Sequence, residues 1–417
     1  MSGLNAQEDR LSAPLDNITV ITVESYMAAP SASAILADLG ARVIKIEPPS
    51  GDPNRGMSRK PKIDAAINTI DCGFDVDNRG KQSIALRLDT EKGRALTHKL
   101  VKGSQIFMCN LLIERQKKFK VDPKSLLDFN PSLVHATLTG YGTTGPDKWR
   151  PGYDVTAFFG RSGIYDASRE GDGGIVPMAR PAQGDHTTGL AMLGAILAAL
   201  RLAENTKIGQ VVETSLFETA IWTQATDFAT TAIDHAPVRR RSREHQLTPM
   251  ANRYPCGDGK WVVFNMMGLE AWPTLCRAIE REEWLEIEAY KTPKSRYDHM
   301  PELVAGVDEA LSKRSRDEWG DIFDKKGVIW GPVLALDEVA IDPQANAIGV
   351  FPEIEHPELG PYRSVNAPMR FHSTEVGPKG PSPELGANTR DILLEIGVSE
   401  DEIEELISDG TIYENDR

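Results

Sequence analysis

The chain has 417 residues, 40% hydrophobic and 26% charged, with a net charge of −14. That length suits two or three domains of roughly 150 residues, and the ordinary proportions exclude a fibrous or intrinsically disordered chain. The acidic balance argues against a general binder of nucleic acid or anionic membrane, while leaving room for a local basic patch.

Residues 1–10 lack the basic start and apolar stretch of a secretory signal, so no export is expected and the expected location is cytoplasmic. The longest apolar run, 189–200, falls short of the roughly 18 to 20 residues that span a bilayer and reads as a buried helix. Cys72, Cys109, Cys256 and Cys276 show no Cys-x-x-Cys pair and no histidine at zinc-site spacing. Reduced thiols and no metal site are expected.

In chain order, 18–23 is a β-branched run of strand length. Pro30 opens a helical pattern over 31–39 that Gly40 closes, and 41–47 is a second strand. This β-α-β opening predicts a parallel sheet and an α/β fold. Glu47 stands where a nicotinamide dinucleotide fold carries its acidic residue, but 24–29 holds no Gly-x-Gly-x-x-Gly, so the topology is expected without that cofactor.

A loop rich in Gly, Pro and Arg covers 48–61, and strands at 81–88 and 105–110 flank a helix over 90–102. The basic run 115–120 reads as a solvated helix face, with an anion site as the alternative. His135, in a strand at 133–138, is expected as an inward or lateral strand residue, because no carboxylate or nucleophile motif stands beside it. A turn-rich loop at 139–146 and the segment 151–163 lead to Pro181-Ala-Gln-Gly-Asp-His-Thr-Thr-Gly189. This stretch runs into an apolar helix over about 187–204 and a strand at 209–216.

From about Asp234 the composition changes and a smaller second domain begins. It contains a basic run at 239–243, read as a solvated or ligand-facing loop, and a hairpin over 254–264 around Asp258-Gly259. Helical patterns follow around Trp272, Leu275 and Ile279, at 303–311 and at 319–323. The apolar run 328–334 and a Pro-rich segment to 383 suggest a return to the first domain, and two acidic helices near 389–396 and 400–407 close the chain.

Asp185 is either a helix cap or a positioned reactive carboxylate. As a cap it would accept a hydrogen bond from a first-turn amide, without a capping box, since neither Glu nor Gln follows at the third position. As a reactive group it would be held by the same free amides and helix dipole. At the ordinary carboxylate pKa of about 3.9 such a nucleophile is more than ~99% ionised at pH 7 and needs no base. The absence of Gly-x-Ser-x-Gly and His-Glu-x-x-His argues against serine and metal hydrolases.

The ordered set Ala29-Pro30, the run 37–47, Gly51-Asp-Pro-Asn-Arg55, Asn78-Arg-Gly-Lys-Gln-Ser-Ile84, Asn130-Pro131, Gly140-Tyr-Gly142, Pro151-Gly-Tyr-Asp154, Gly184-Asp185 and Gly209-Gln210 resembles the family III CoA transferases, the formyl-CoA and carnitine CoA transferase family. The resemblance covers 15 to about 407. It implies that Asp185 attacks an acyl-CoA to give a mixed anhydride, that the thiolate returns to form an aspartyl-CoA thioester, and that an incoming carboxylate then takes the CoA. Water must be excluded for transfer to outrun hydrolysis, and Gly184 and Ala182 would leave room for the thioester.

The resemblance also implies CoA contacts at Tyr26, Met27, Leu86, Asn110, Lys118, Tyr153 and Asp154, with the CoA thioester as substrate and no permanently bound cofactor. Where the family commonly has Asn-Phe-x-Pro-Gly, this chain has Asn110-Leu-Leu-Ile-Glu114. Nothing between Arg239 and Pro255 resembles the glycine-rich loop of the formyl-CoA branch, which disfavours oxalate and formate. The racemase branch has Gly-His-Asp where this chain has Gly152-Tyr153-Asp154, which favours transfer over α-proton exchange.

The nearest-looking branch comprises the phenyllactate and 2-hydroxyacyl CoA transferases, acting on aryl or branched 2-hydroxy and 2-enoic acids. A 2-methylacyl-CoA racemase-like enzyme and a non-catalytic CoA-binding protein are the alternatives. The implied architecture is a Rossmann-like large domain from 1–225 and 331–417, a smaller α+β domain at 226–330, and an interlocked ring homodimer.

Overall fold

The structure is a computed structural model that describes residues 12–57, 71–357 and 360–415. The leader 1–10 and the end of the 48–61 loop lie outside the described residues. The chain divides into two units, one of Met1–Ile164, Met178–Ile233 and Ala347–Arg417, the other of Tyr165–Pro177 and Asp234–Asn346.

The first unit holds a sheet whose first six strands are β1 (Thr19–Val23), β2 (Arg42–Glu47), β3 (Gln82–Leu86), β4 (Ile106–Cys109), β5 (Val134–Thr139) and β6 (Gln210–Ser215). They lie in the order β3-β2-β1-β4-β5-β6, all parallel, and the C-terminal strand Ile412–Tyr413 pairs antiparallel with β3. Strands β4 and β5 are buried along their whole length, as both covered faces of a parallel sheet require, whereas edge strand β6 alternates. His135 lies fully buried in β5 with Nε2 2.9 Å from the Val121 carbonyl, an inward strand residue as expected.

Helix α1 (Ala28–Asp38) starts ahead of Pro30, which therefore sits in the first turn, where its missing N–H costs nothing. All eleven of its residues are buried. Against it packs the long helix Gln183–Thr206. A side chain at Gly189 would meet Ser31 Oγ and come within 2.9 Å of the Ala28 carbonyl, so glycine is what lets the two helices approach. By length and composition this helix could cross a membrane, but Met192, Leu193, Ile196 and Leu200 are buried inside the unit.

The second unit has an antiparallel sheet of β7 (Ala251–Pro255), β8 (Trp261–Asn265) and β9 (Trp330–Val333) over a core that includes Tyr254, Phe264, Trp272, Leu303 and Trp319. The hairpin turns at Gly259, whose φ of +78° suits glycine. Two sequence expectations are corrected. Trp330–Val333, assigned to the return, pairs with β8 instead, because an apolar run does not specify its partner strand. Tyr165–Pro177 groups with this unit although the sequence places it in the first. Within it, two arginines of the basic run are paired, Arg240 to Asp166 and Asp172 and Arg243 to Asp308 at 2.7 Å.

Candidate active site

Neighbouring strands β1 and β4 feed connections to opposite sides, and a crevice opens outside the carboxyl ends of a parallel sheet at such a switch point. The β1–α1 loop lies there. Tyr26 adopts φ +63°, an uncommon conformation for a non-glycine residue, with its amide donating to Asp52 Oδ1 at 3.1 Å. Asn110, after β4, clamps the same loop: its Nδ2 donates to the Ser25 carbonyl at 2.7 Å, and the Ser25 amide donates to its Oδ1 at 3.2 Å.

Paired ions are buried beneath the loop. Lys81 meets Glu24 at 2.9 Å, Lys45 meets Asp52 at 2.6 Å, and both ammonium groups donate to Asn78 Oδ1. Burial pushes the Lys81 ammonium down to about 8. Glu47 is no ribose ligand here: it pairs with Arg55 at 2.7 Å and accepts from Ser83 Oγ at 2.8 Å. Buried charges persist only when matched in this way, and the network holds the loop's geometry.

Two cavities adjoin at the crevice. One, of about 640 Å³, lies at the ends of β1 to β4, with Leu86, Arg87, Arg115 and Lys118 on its wall. The other, of about 220 Å³, is lined by Tyr26, Gly152, Tyr153 and Asp185. Ser25, Asn110, Leu111 and Arg115 border both. The rings of Tyr26 and Tyr153 meet edge to face at 5.5 Å. Among the described residues, no carboxylate pairs with Arg115 or Lys118, whereas Arg87 is paired with Asp89 at 2.9 Å.

Asp185 is not a cap. The long helix begins at Gln183, after Ala182 turns the backbone with φ +79°, so Asp185 falls within the first turn. No hydrogen bond from a described residue reaches its carboxylate. The expectation of an ordinary acidity is corrected too. Burial first, then the nearby charges of Asp154 and Asp77, push the carboxyl up to about 7 against the opposing pull of His186. Its protonated form is then populated at neutral pH alongside the carboxylate.

Asp154 is buried and accepts from the Val155 amide at 2.6 Å and the Ala182 amide at 2.7 Å. His186 Nε2 lies 3.0 Å from Oδ1 of Asp77, whose side chain is buried. That bond raises the imidazole's proton affinity, while burial raises the carboxyl of Asp77. Packing also requires Gly184 to be small, because a Cβ there would stand 2.5 to 2.9 Å from Phe158.

Of the residues the resemblance assigned to CoA, Leu86, Asn110 and Lys118 line the larger cleft and Tyr26, Asn110 and Tyr153 the smaller. Met27 lines a different cavity, and Asp154 lines neither cleft but anchors the turn before Asp185. Sequence reasoning did not single out Asp77 or Ser25. Each acts through a partner distant in sequence, for which a local pattern carries no signal.

A carboxylate at a helix start, lining a cleft at the switch point of a parallel sheet, marks a ligand-binding α/β protein. The chain belongs to CoA-transferase family III, whose signature matches residues 15–389, and is accordingly a transferase. It is 30% identical over 392 residues to the (R)-2-hydroxy-4-methylpentanoate CoA-transferase of Clostridioides difficile, covering 93% of this chain and 97% of that one. It is 30% identical over 404 residues to the cinnamoyl-CoA:phenyllactate CoA-transferase of Clostridium sporogenes, covering 95% and 96%. A solved CAIB/BAIF family protein from Brucella suis superposes with a TM-score of 0.82 at 28% identity, covering 93% of this chain and 100% of that one.

Proposed function

We propose that this protein moves CoA from an acyl-CoA to a carboxylic acid through a thioester on Asp185. The observation that carries the reading is the Asp185 carboxylate, free of hydrogen bonds from described residues, facing a small pocket that shares four lining residues with a larger cleft bordered by two cations without a carboxylate partner among those residues. The larger cleft takes the nucleotide end of CoA, with Arg115 and Lys118 toward its phosphates. The smaller receives the thioester.

Asp185 in its ionised form attacks the thioester carbonyl, the C–S bond breaks, and CoA leaves as thiolate. The thiolate attacks the aspartyl carbon of the anhydride and expels the donor carboxylate. An acceptor carboxylate reverses the sequence and departs as its CoA thioester. Each step exchanges one acyl bond for another, so no net proton is consumed.

Similarity to the two clostridial enzymes supports branched or aryl 2-hydroxy and 2-enoic acids as substrates. Tyr153 in place of a histidine removes the base that racemisation would use. The reading extends to a cytoplasmic homodimer, and a monomer mass in sedimentation equilibrium would remove the dimer. The central test is incubation with a panel of acyl-CoAs, trapping with hydroxylamine or borohydride, and peptide mass spectrometry. The expected label is on Asp185. An unlabelled Asp185, together with transfer by Asp185→Ala, overturns the reading.

A further inference from the structure

A third cavity, of about 450 Å³, meets the same helical turn through Ala182 and His186. Its wall is largely apolar, with Met27, Ala34, Ile35, Val76 and Leu190. Arg79 also borders it, but that guanidinium is committed to Asp38 at 2.7 Å and to the Val365 carbonyl at 2.6 Å. His186 differs. Its Nε2 faces Asp77, its Nδ1 has no hydrogen-bond partner among the described residues, and its side chain is 46% exposed. Ser31, Asp77 and Asn366 complete the polar part of the lining, and a mostly apolar cavity with a few placed polar groups is the usual form of a small-molecule site.

The charges around this turn are lopsided. Asp185, Asp154 and Asp77 are carboxylates and His186 is the basic group acting on Asp185, while Lys81 and Lys45, which also act on Asp77, are paired with Glu24 and Asp52. An acid anion approaching this turn is repelled by Asp154 and Asp77, and by Asp185 until the thioester removes its charge, and His186 is the basic group placed to offset them. We infer that this cavity seats the side chain of the substrate acid, and that His186, held by Asp77, binds the acid's carboxylate beside Asp185. The acids it selects are monocarboxylates with a branched aliphatic or aryl side chain. This rests on reading Asp185 as the CoA-carrying residue, and makes Asp77 a positioning residue: it orients the ring and favours its protonated form. His186 transfers no proton, because the acid's carboxylate oxygen attacks and the C–S bond breaks without one.

The test is calorimetric binding of 4-methylpentanoate and of its neutral amide, 4-methylpentanamide, to the full-length protein saturated with CoA. The unmodified protein is expected to prefer the acid at least tenfold. His186→Gln, which keeps a donor but no charge, and Asp77→Asn should abolish the preference, while Asp77→Glu restores it and CoA affinity stays within twofold. A preference persisting in His186→Gln, its absence in the unmodified protein, or a parallel loss of CoA affinity overturns the inference. Acid binding is read without any adduct, so failure of Asp185 labelling alongside a retained preference sinks the covalent route alone.

Discussion

Asp154 Oδ2 accepts the Ala182 amide at 2.7 Å, three residues ahead of Asp185, so one buried carboxylate both fixes the start of the long helix and raises the proton affinity of the proposed nucleophile. In the proposed reaction the base form of Asp185 is the one that attacks. The kcat/KM for acyl-CoA should therefore rise with pH through about 7, falling tenfold per pH unit below it. In Asp154→Asn the midpoint should move to lower pH. Stability should drop by about 1 to 2 kcal/mol, because the amide side chain cannot accept from both the Val155 and Ala182 amides.

The acid should show the opposite trend. The imidazole of His186 faces Asp77, Asp185 and Asp154, and its hydrogen bond to Asp77 raises its pKa. Below that pKa it is a cation. As pH climbs past it, the KM for the acid should increase several-fold while the KM for acyl-CoA is unchanged, which steady-state kinetics with each substrate varied in turn would show.

Replacing the proposed nucleophile should separate function from stability. Asp185→Asn should lower transfer at least ~1000-fold, the scale expected when a covalent nucleophile is lost. The folded-state pKa of Asp185 lies above the unfolded value, so its charged form is penalised by folding: the penalty is absent below about pH 4, grows toward 7 and is complete above. Removing it should stabilise the protein at pH 8 by on the order of 2 kcal/mol, discounted for partial exposure, and hardly at all at pH 4. Thermal unfolding at the two pH values checks the sign.

Two glycines in one helix should respond oppositely. Gly184→Ala drives a methyl into Phe158 and should cost about 1 to 3 kcal/mol while displacing Asp185 and slowing transfer. Gly194→Ala meets nothing within 4 Å and should stabilise the helix by up to about 1 kcal/mol with activity intact. Melting temperatures and transfer rates of the pair decide it.

Cations of the larger cleft should act on CoA alone. Arg115→Ala and Lys118→Ala should each raise the KM for acyl-CoA about 5- to 20-fold and weaken its salt dependence, with the acid's KM unchanged. Initial rates at two ionic strengths measure both effects.

What the sequence determined by itself was whatever depends on neighbours along the chain. Alternation of β-branched runs with helical spacing located β1 to β6 to within a few residues, since side-chain period is a local property. The Gly184-Asp185 pair stood out because a small residue and a carboxylate precede an apolar helix. What only the tertiary structure decided depends on neighbours in space. The partner strand of Trp330–Val333 came from sheet geometry, and the small size of Gly184 from the Phe158 ring. Above all, the acidity of Asp185 arises from burial beside Asp154 and Asp77, the latter paired with His186 across 109 residues of chain, and electrostatics acts through distance and dielectric without regard to sequence order.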